Sequence, residues 1–165
     1  GAVYKSVDGA ENWNRISLPS GTNAPTSLVV DENDPGCLVM SAWGRVTPGQ
    51  FSPDTGGGIF ITGDEGKTWK QVMDKDQHIG AVTSDHRNNR LYACGFNSSA
   101  YFSEDRGETW VRIKGYNFKW GQRVEPDLAD SEKIFILTFG GGVWYGPAKG
   151  DEDAVEDIVI PDSKL

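Results

Sequence analysis

The stretch Gly58-Ile-Phe-Ile-Thr62-Gly-Asp64-Glu-Gly66-Lys-Thr68-Trp69 decides how the rest of the chain is read. Its first residues are small, β-branched or aromatic, the make-up of a short strand. The remainder, Thr-x-Asp-x-Gly-x-Thr-Trp, is turn chemistry, because an Asp carboxylate there can accept from backbone N–H groups and a Gly can take positive φ. The pattern returns after Ala100-Tyr-Phe102 as Ser103-Glu-Asp105-Arg-Gly107-Glu-Thr109-Trp110, with Asp105 41 residues beyond Asp64. A weaker copy, Ser6-Val-Asp8-Gly-Ala10-Glu-Asn12-Trp13, comes after Ala2-Val-Tyr4 and has Ala10 for the Gly and Asn12 for the Thr. In all three the Asp reads as a structural staple and Trp13, Trp69 or Trp110 as packing between neighbouring sheets.

Two further strand-like segments lie between motifs. They are Ser27–Asp31 with Cys37–Met40, Ala81–Asp85 with Leu91–Cys94, and Arg123–Asp127 with Ile134–Leu137. A fourth small-aromatic strand, Gly142-Val-Trp-Tyr145, has no Asp motif after it. Units of about 42 residues with four antiparallel strands are what a β-propeller blade needs. Asp8 and Asp64 are 56 residues apart, so the second unit carries an insertion, placed at Trp43 to Thr55. The fold expected is all-β: blade repeats at 1–17, 26–72, 79–113 and 122–146, with two, four, four and three strands. Residues 1–149 would then be a partial propeller of about three and a half blades, and 150–165 an acidic tail whose segment 156–160 offers a closing strand. Propellers have about four to eight blades, so the arc is expected to find its remaining blades in the same precursor or in another chain.

The charge balance excludes some partners. Against 24 Asp and Glu there are only 16 Lys and Arg, which disfavours the basic face that nucleic acid requires. No apolar run is long enough for a membrane span. Cys37 and Cys94 are too few for a disulfide framework. Aligning the repeats on Asp31 and Asp85 sets Cys37 against Leu91 and Cys94 against Met40, on opposite faces, so both read as small buried hydrophobes. No phosphate loop and no Cys or His cluster at ligand spacing is present, so no cofactor and no metal are expected.

The two complete motifs at this spacing resemble the Asp-box, or bacterial neuraminidase (BNR) repeat, propellers. That superfamily includes sialidases, xyloglucan-cleaving hydrolases, sortilin-type receptors and photosystem assembly factors. The resemblance implies a sialidase-like propeller whose motif residues (Asp8, Trp13, Asp64, Gly66, Thr68, Trp69, Asp105, Gly107, Thr109 and Trp110) are structural. It also implies a ligand face at the end of the blades away from the Asp turns, and a secreted, periplasmic or cell-surface bacterial protein. The closing segment Ile136-Leu-Thr-Phe-Gly-Gly-Gly-Val-Trp144 is similar to the last blade of secreted glycosyl hydrolase-like proteins of this kind.

On that face the insertion contributes Trp43, Arg45 and Phe51, and one connection between blades contributes Tyr116, Phe118, Trp120 and Arg123. Aromatic rings set among Arg, Lys, Asn and Gln suit stacking on sugar rings while their hydroxyls are hydrogen-bonded. The alternative for these rings is to anchor long loops on the propeller. The connection Asp74-Lys-Asp76-Gln-His78 adds His78 and two carboxylates, Asp74 and Asp76, which are the catalytic candidates if a glycosidase pair exists here and otherwise a solvated turn. No motif identifies a sialidase arginine triad. The reading is a carbohydrate-binding propeller, with glycoside hydrolysis as its enzymatic form. The alternative is a non-enzymatic scaffold for protein–protein interaction or surface assembly.

Overall fold

The computed structural model describes residues 1–45 and 55–155. Each alternating segment pairs with its neighbours in sequence, so the described chain is a series of antiparallel meanders. The first sheet has two strands, β1 (Val3–Lys5) and β2 (Asn14–Ile16). The second is β3 (Thr22–Val30), β4 (Leu38–Gly44), β5 (Gly58–Thr62) and β6 (Lys70–Met73). The third is β7 (Ile79–Asp85), β8 (Arg90–Gly95), β9 (Ala100–Ser103) and β10 (Val111–Arg112). The fourth is β11 (Gly121–Pro126), β12 (Lys133–Thr138) and β13 (Val143–Pro147). The closing strand expected at 156–160 lies outside the described residues.

The Asp turns join the third strand of a sheet to its outer partner. Asp64 accepts from the Thr68 backbone N–H at 2.9 Å and from the Thr62 and Thr68 hydroxyls at 2.6 Å each. Asp105 has the same set from Ser103 and Thr109, and Asp8 has it from Ser6 and Asn12 with the Asn12 side-chain amide in place of the second hydroxyl. The chain can reverse this tightly only with two successive residues at positive φ, Glu65 and Gly66 at 63° and 82° in the second copy. A Cβ on Gly66 would lie 2.3 Å from Ile16 Cγ2, so the first and second sheets could not close on each other around a larger residue.

These hydrogen bonds make the turns acid-sensitive. The Asn12 backbone and side chain, with Ser6, hold Asp8 down to about 2, and the Thr62 and Thr68 hydroxyls hold Asp64 well below the ordinary carboxylate range. Burial pushes Asp105 up, but Thr109 and Ser103 outweigh it and its pKa is lowered. A folded-state pKa below the unfolded one, near 3.8, means the stabilisation is complete above about pH 4 and is lost as pH falls through the folded value. Urea melts between pH 2 and 7 should therefore show a falling midpoint below about pH 4, with a shallower fall in Asp64→Asn. Equal slopes in the two proteins would contradict the assignment.

Strand register shows how the sheets stack. Met40 pairs with Phe60, Ala93 with Tyr101 and Ile136 with Trp144, which makes these three pairs equivalent. One face of each sheet packs back on the preceding sheet and the other receives the next one. Met40 and Phe60 lie against Val3 and Leu18. Val82, Ala93 and Tyr101 meet Val39 and Ile59, and Val124, Ile134 and Ile136 meet Tyr92, Cys94 and Ala100. Trp69 and Trp110 pack into the first two of these junctions.

The register corrects the cysteine alignment. Leu38 pairs with Thr62 as Leu91 pairs with Ser103, so Cys94 corresponds to Ser41 and not to Met40. The turn after Asp31 is one residue longer than the turn after Asp85, and a one-residue slip exchanges the faces. Cys94 is buried, whereas Cys37 is only half-buried and its thiol donates to Asp34 at 3.2 Å.

Among the described residues both ends of the stack are open. Leu28, Val82 and Val124 are equivalent through their partners Met40, Ala93 and Ile136, yet Leu28 is 38% exposed against 3% and 1% for the other two. The first sheet has no inner strands to cover it, and Tyr4 and Trp13 on its outward face are more than half exposed, so Trp13, unlike Trp69 and Trp110, does not pack between sheets among the described residues. At the other end Val143, Tyr145 and Phe135 are exposed, the last two as a stacked pair 4.6 Å apart. Full burial of such a side chain contributes about 1.5–3 kcal/mol, so both faces carry unused stabilisation.

Candidate functional site at the end opposite the Asp turns

The inner strands share one equivalent break in register, between Pro25 and Ser27, Ile79 and Ala81, and Gly121 and Arg123, and β3 has a second between Thr22 and Ala24. The extra residues, Thr26, Gly80 and Gln122, are therefore counterparts. A bulge re-aims side chains at the end of a strand. Gly80 is required for another reason, since a Cβ there would meet Gln122 O at 2.6 Å. Three residues beyond the equivalent Met40, Ala93 and Ile136 stand three aromatics, Trp43, Phe96 and Phe139. These three and the three bulge residues line a cavity of about 420 Å³ together with Gly121.

The rings form a row across three sheets. Trp43 and Phe96 have centroids 5.4 Å apart, and Phe96 stacks on Trp120 at 6.2 Å and 29°. Trp120 has φ of 59°, in the left-handed region that a bulky side chain seldom adopts. Two backbone hydrogen bonds fix it there: its N–H donates to Phe96 O at 2.8 Å, and its O accepts from the Phe139 N–H at 2.7 Å. Trp120 is half-exposed and Phe139 62% exposed, so the row ends in rings that face solvent.

The residues singled out from sequence fall into three groups. Trp43 joins the row, although it belongs to β4 and not to the insertion. His78 sits edge-on to Trp43 at 5.2 Å, with Nδ1 2.8 Å from Asn97 Nδ2. Arg45 is exposed just past β4, its N–H donating to Thr55 O, and Phe51 lies outside the described residues. Arg123 is exposed and ion-paired to Glu125 on β11.

Tyr116 and Phe118 are not at the site. Both are buried in the core between the third and fourth sheets, where Tyr116 donates to Pro147 O at 2.9 Å and Phe118 packs on Trp144. Burial pushes the Tyr116 phenol up to about 12. Their connection is anchored from within because two rings point down into a junction that needs filling.

Asp76 is a second correction. It is no solvated turn, being 1% exposed. Oδ1 accepts from the His78 N–H, and Oδ2 accepts from the Asn97 N–H, the Ser98 N–H and the Ser98 hydroxyl, all within 2.9 Å. Its carboxylate ties the β6–β7 connection to the β8–β9 loop. Asp74 is exposed, and its backbone O accepts from the Gln77 side chain at 2.8 Å.

Comparison with known proteins gives the fold a context. Over 83% of the chain the structure superposes on a GH74 enzyme from Niastella koreensis with a TM-score of 0.62 and 17% identity, covering 22% of that protein. Over 94% it superposes on YCF48 from Cyanidioschyzon merolae with a TM-score of 0.59 and 16% identity, covering 51% of that chain. The chain is an arc of a β-propeller. Its four sheets are blades, the first and last incomplete. In sequence the arc is 23% identical, over 93% of its length, to a protein of Neosartorya fischeri named a probable oligoxyloglucan-reducing end-specific xyloglucanase, of which it spans 20%. No family model matches it.

Phe96 and Phe139 were not singled out from sequence. The signal that finds them is the repeat itself: Phe139 follows Asp127 at the distance at which Trp43 follows Asp31, and Phe96 takes the same position once the third blade is aligned on strand register rather than on Asp85.

Proposed function

We propose that this arc forms part of a carbohydrate-binding propeller and holds its ligand at the blade end opposite the Asp turns. The observation that carries the reading is the aromatic at the same position of three consecutive blades, Trp43, Phe96 and Phe139, extended by the half-exposed Trp120 beside a cavity of about 420 Å³. Flat, partly exposed rings in a row suit the apolar faces of successive sugar units, and Gln122, Arg45 and Asn97 stand near the ends of the same strands to bond hydroxyls. The xyloglucanase relative supports the carbohydrate class. We assign binding to the arc; Asp76, spent on four internal hydrogen bonds, is not a catalytic carboxylate in it. The open faces at both ends are completed by further blades of the same polypeptide.

The test is electrophoresis of the full-length protein through gels containing xyloglucan, other β-glucans or sialylated glycans, with reducing-sugar release assayed in parallel. Retardation by one of these polymers is the expected result. Migration unchanged in every gel would overturn the carbohydrate reading and favour a protein-binding scaffold.

A further inference from the structure

The two junctions between complete inner faces are filled differently. Between the third and fourth blades, Tyr92 and Phe102 are paired neighbours on β8 and β9, and the Arg90 guanidinium lies 6.0 and 5.9 Å from their ring centroids. Ile134, on the facing sheet, is completely buried beneath them. Register places Cys37, Val39 and Ile61 of the second blade where the third has Arg90, Tyr92 and Phe102. Each of the three is smaller than its counterpart. Leu91, the counterpart of Ile134, is accordingly left half-buried, and a cavity of about 510 Å³ opens over Val29, Val39, Ile61 and Leu91 at the Asp-turn end of the blades.

The rim of this cavity is polar and bridged across the two blades. Arg106 Nε donates to Asp31 Oδ2 at 2.7 Å, Lys70 Nζ pairs with Glu108 and His86 Nε2 approaches Glu32 at 3.4 Å, each pair joining one blade to the other. The lining carries five carboxylates against three Lys and Arg side chains, which disfavours an anionic ligand. An apolar floor under hydrogen-bonding groups, in a space of this size, is the make-up of a small-molecule pocket.

We propose that this cavity binds an aromatic ring bearing a hydroxyl. The next junction shows what the space accepts: there the protein fills it with a phenol and a phenyl ring beneath the Arg90 cation, and here Arg90 also reaches the lining, with Arg106 and Lys70 beside it. The hydroxyl meets the carboxylates of Asp31 and Glu32. The site is at the far end of the blades from the aromatic row and does not rest on the carbohydrate reading.

Calorimetric titration of the full-length protein with p-cresol, and separately with a capped Ala-Tyr-Ala peptide, tests this. Saturable p-cresol binding is expected, weakened at least tenfold in Ile61→Phe and in Val39→Tyr, which install the larger side chains of the next junction. Tighter binding of the peptide would place the ring on a protein partner, and equal or weaker binding would identify a free phenolic molecule. Two filling variants are used so that one misfolded protein does not decide the matter, and each is checked for a wild-type thermal transition. No saturable binding up to millimolar concentration, or undiminished binding in a folded filling variant, would overturn the proposal.

Discussion

Asp76→Ala is expected to cost on the order of 3–5 kcal/mol of unfolding free energy, enough to threaten a domain whose total is about 5–15. The substitution strands the backbone N–H groups of His78, Asn97 and Ser98 and the Ser98 hydroxyl at a position that is 1% exposed. Each unsatisfied buried donor costs about 1–3 kcal/mol. The damage spreads because the three residues belong to two loops that have no other shared carboxylate among the described residues. Asp74→Ala is the matched control: its side chain is exposed, and a surface change of this kind stays within about 0.5 kcal/mol. Urea denaturation of the two variants checks the difference. A loss below about 1 kcal/mol in Asp76→Ala would refute the stapling role, and only then would an activity lost in that variant speak for chemistry.

The blade architecture was legible because it rests on local signals. Strand, turn and Trp recur within a few residues of each Asp, and counting them predicts two, four, four and three strands, which are the sheets found. The shortfall of strands likewise foretold open faces, and Leu28 and Tyr145 lie on them. What the sequence hid depends on residues that meet only after folding. Asp76 reads as a solvated turn because its donors stand 21 and 22 residues away in a loop with no motif of its own. Tyr116 and Phe118 look like exposed aromatics because nothing nearby in sequence says that their connection dips into a junction. Phe96 is hidden for a subtler reason: the extra residue after Asp31 shifts β4 by one position relative to β8, whereas Phe139 follows Asp127 at the same distance as Trp43 follows Asp31. Period-two side-chain alternation turns that single slip into the wrong face.

Trp120→Ala and Phe139→Ala should each weaken retention in the glycan gel about tenfold, a change of about 1.4 kcal/mol in binding, while leaving the thermal transition within a few degrees of wild type. Both rings are about half or more exposed, so little core is lost with them, and Ala at position 120 keeps the backbone strain of φ near 59° as it was. Phe118→Ala gives the opposite pattern. That ring is 8% exposed in the core between the last two blades, and removing it should cost about 3–5 kcal/mol of stability with affinity retained in whatever fraction stays folded. The two phenotypes separate a ligand platform from a loop anchor. Should Trp120→Ala instead melt early and bind normally, the ring's contact with Phe96 and its two backbone bonds would be there to hold the connection, and the row across the blades would be architecture. Loss of binding at an unchanged melting temperature is the outcome expected from a ring that already sits, strained and half in water, where a ligand would replace the solvent.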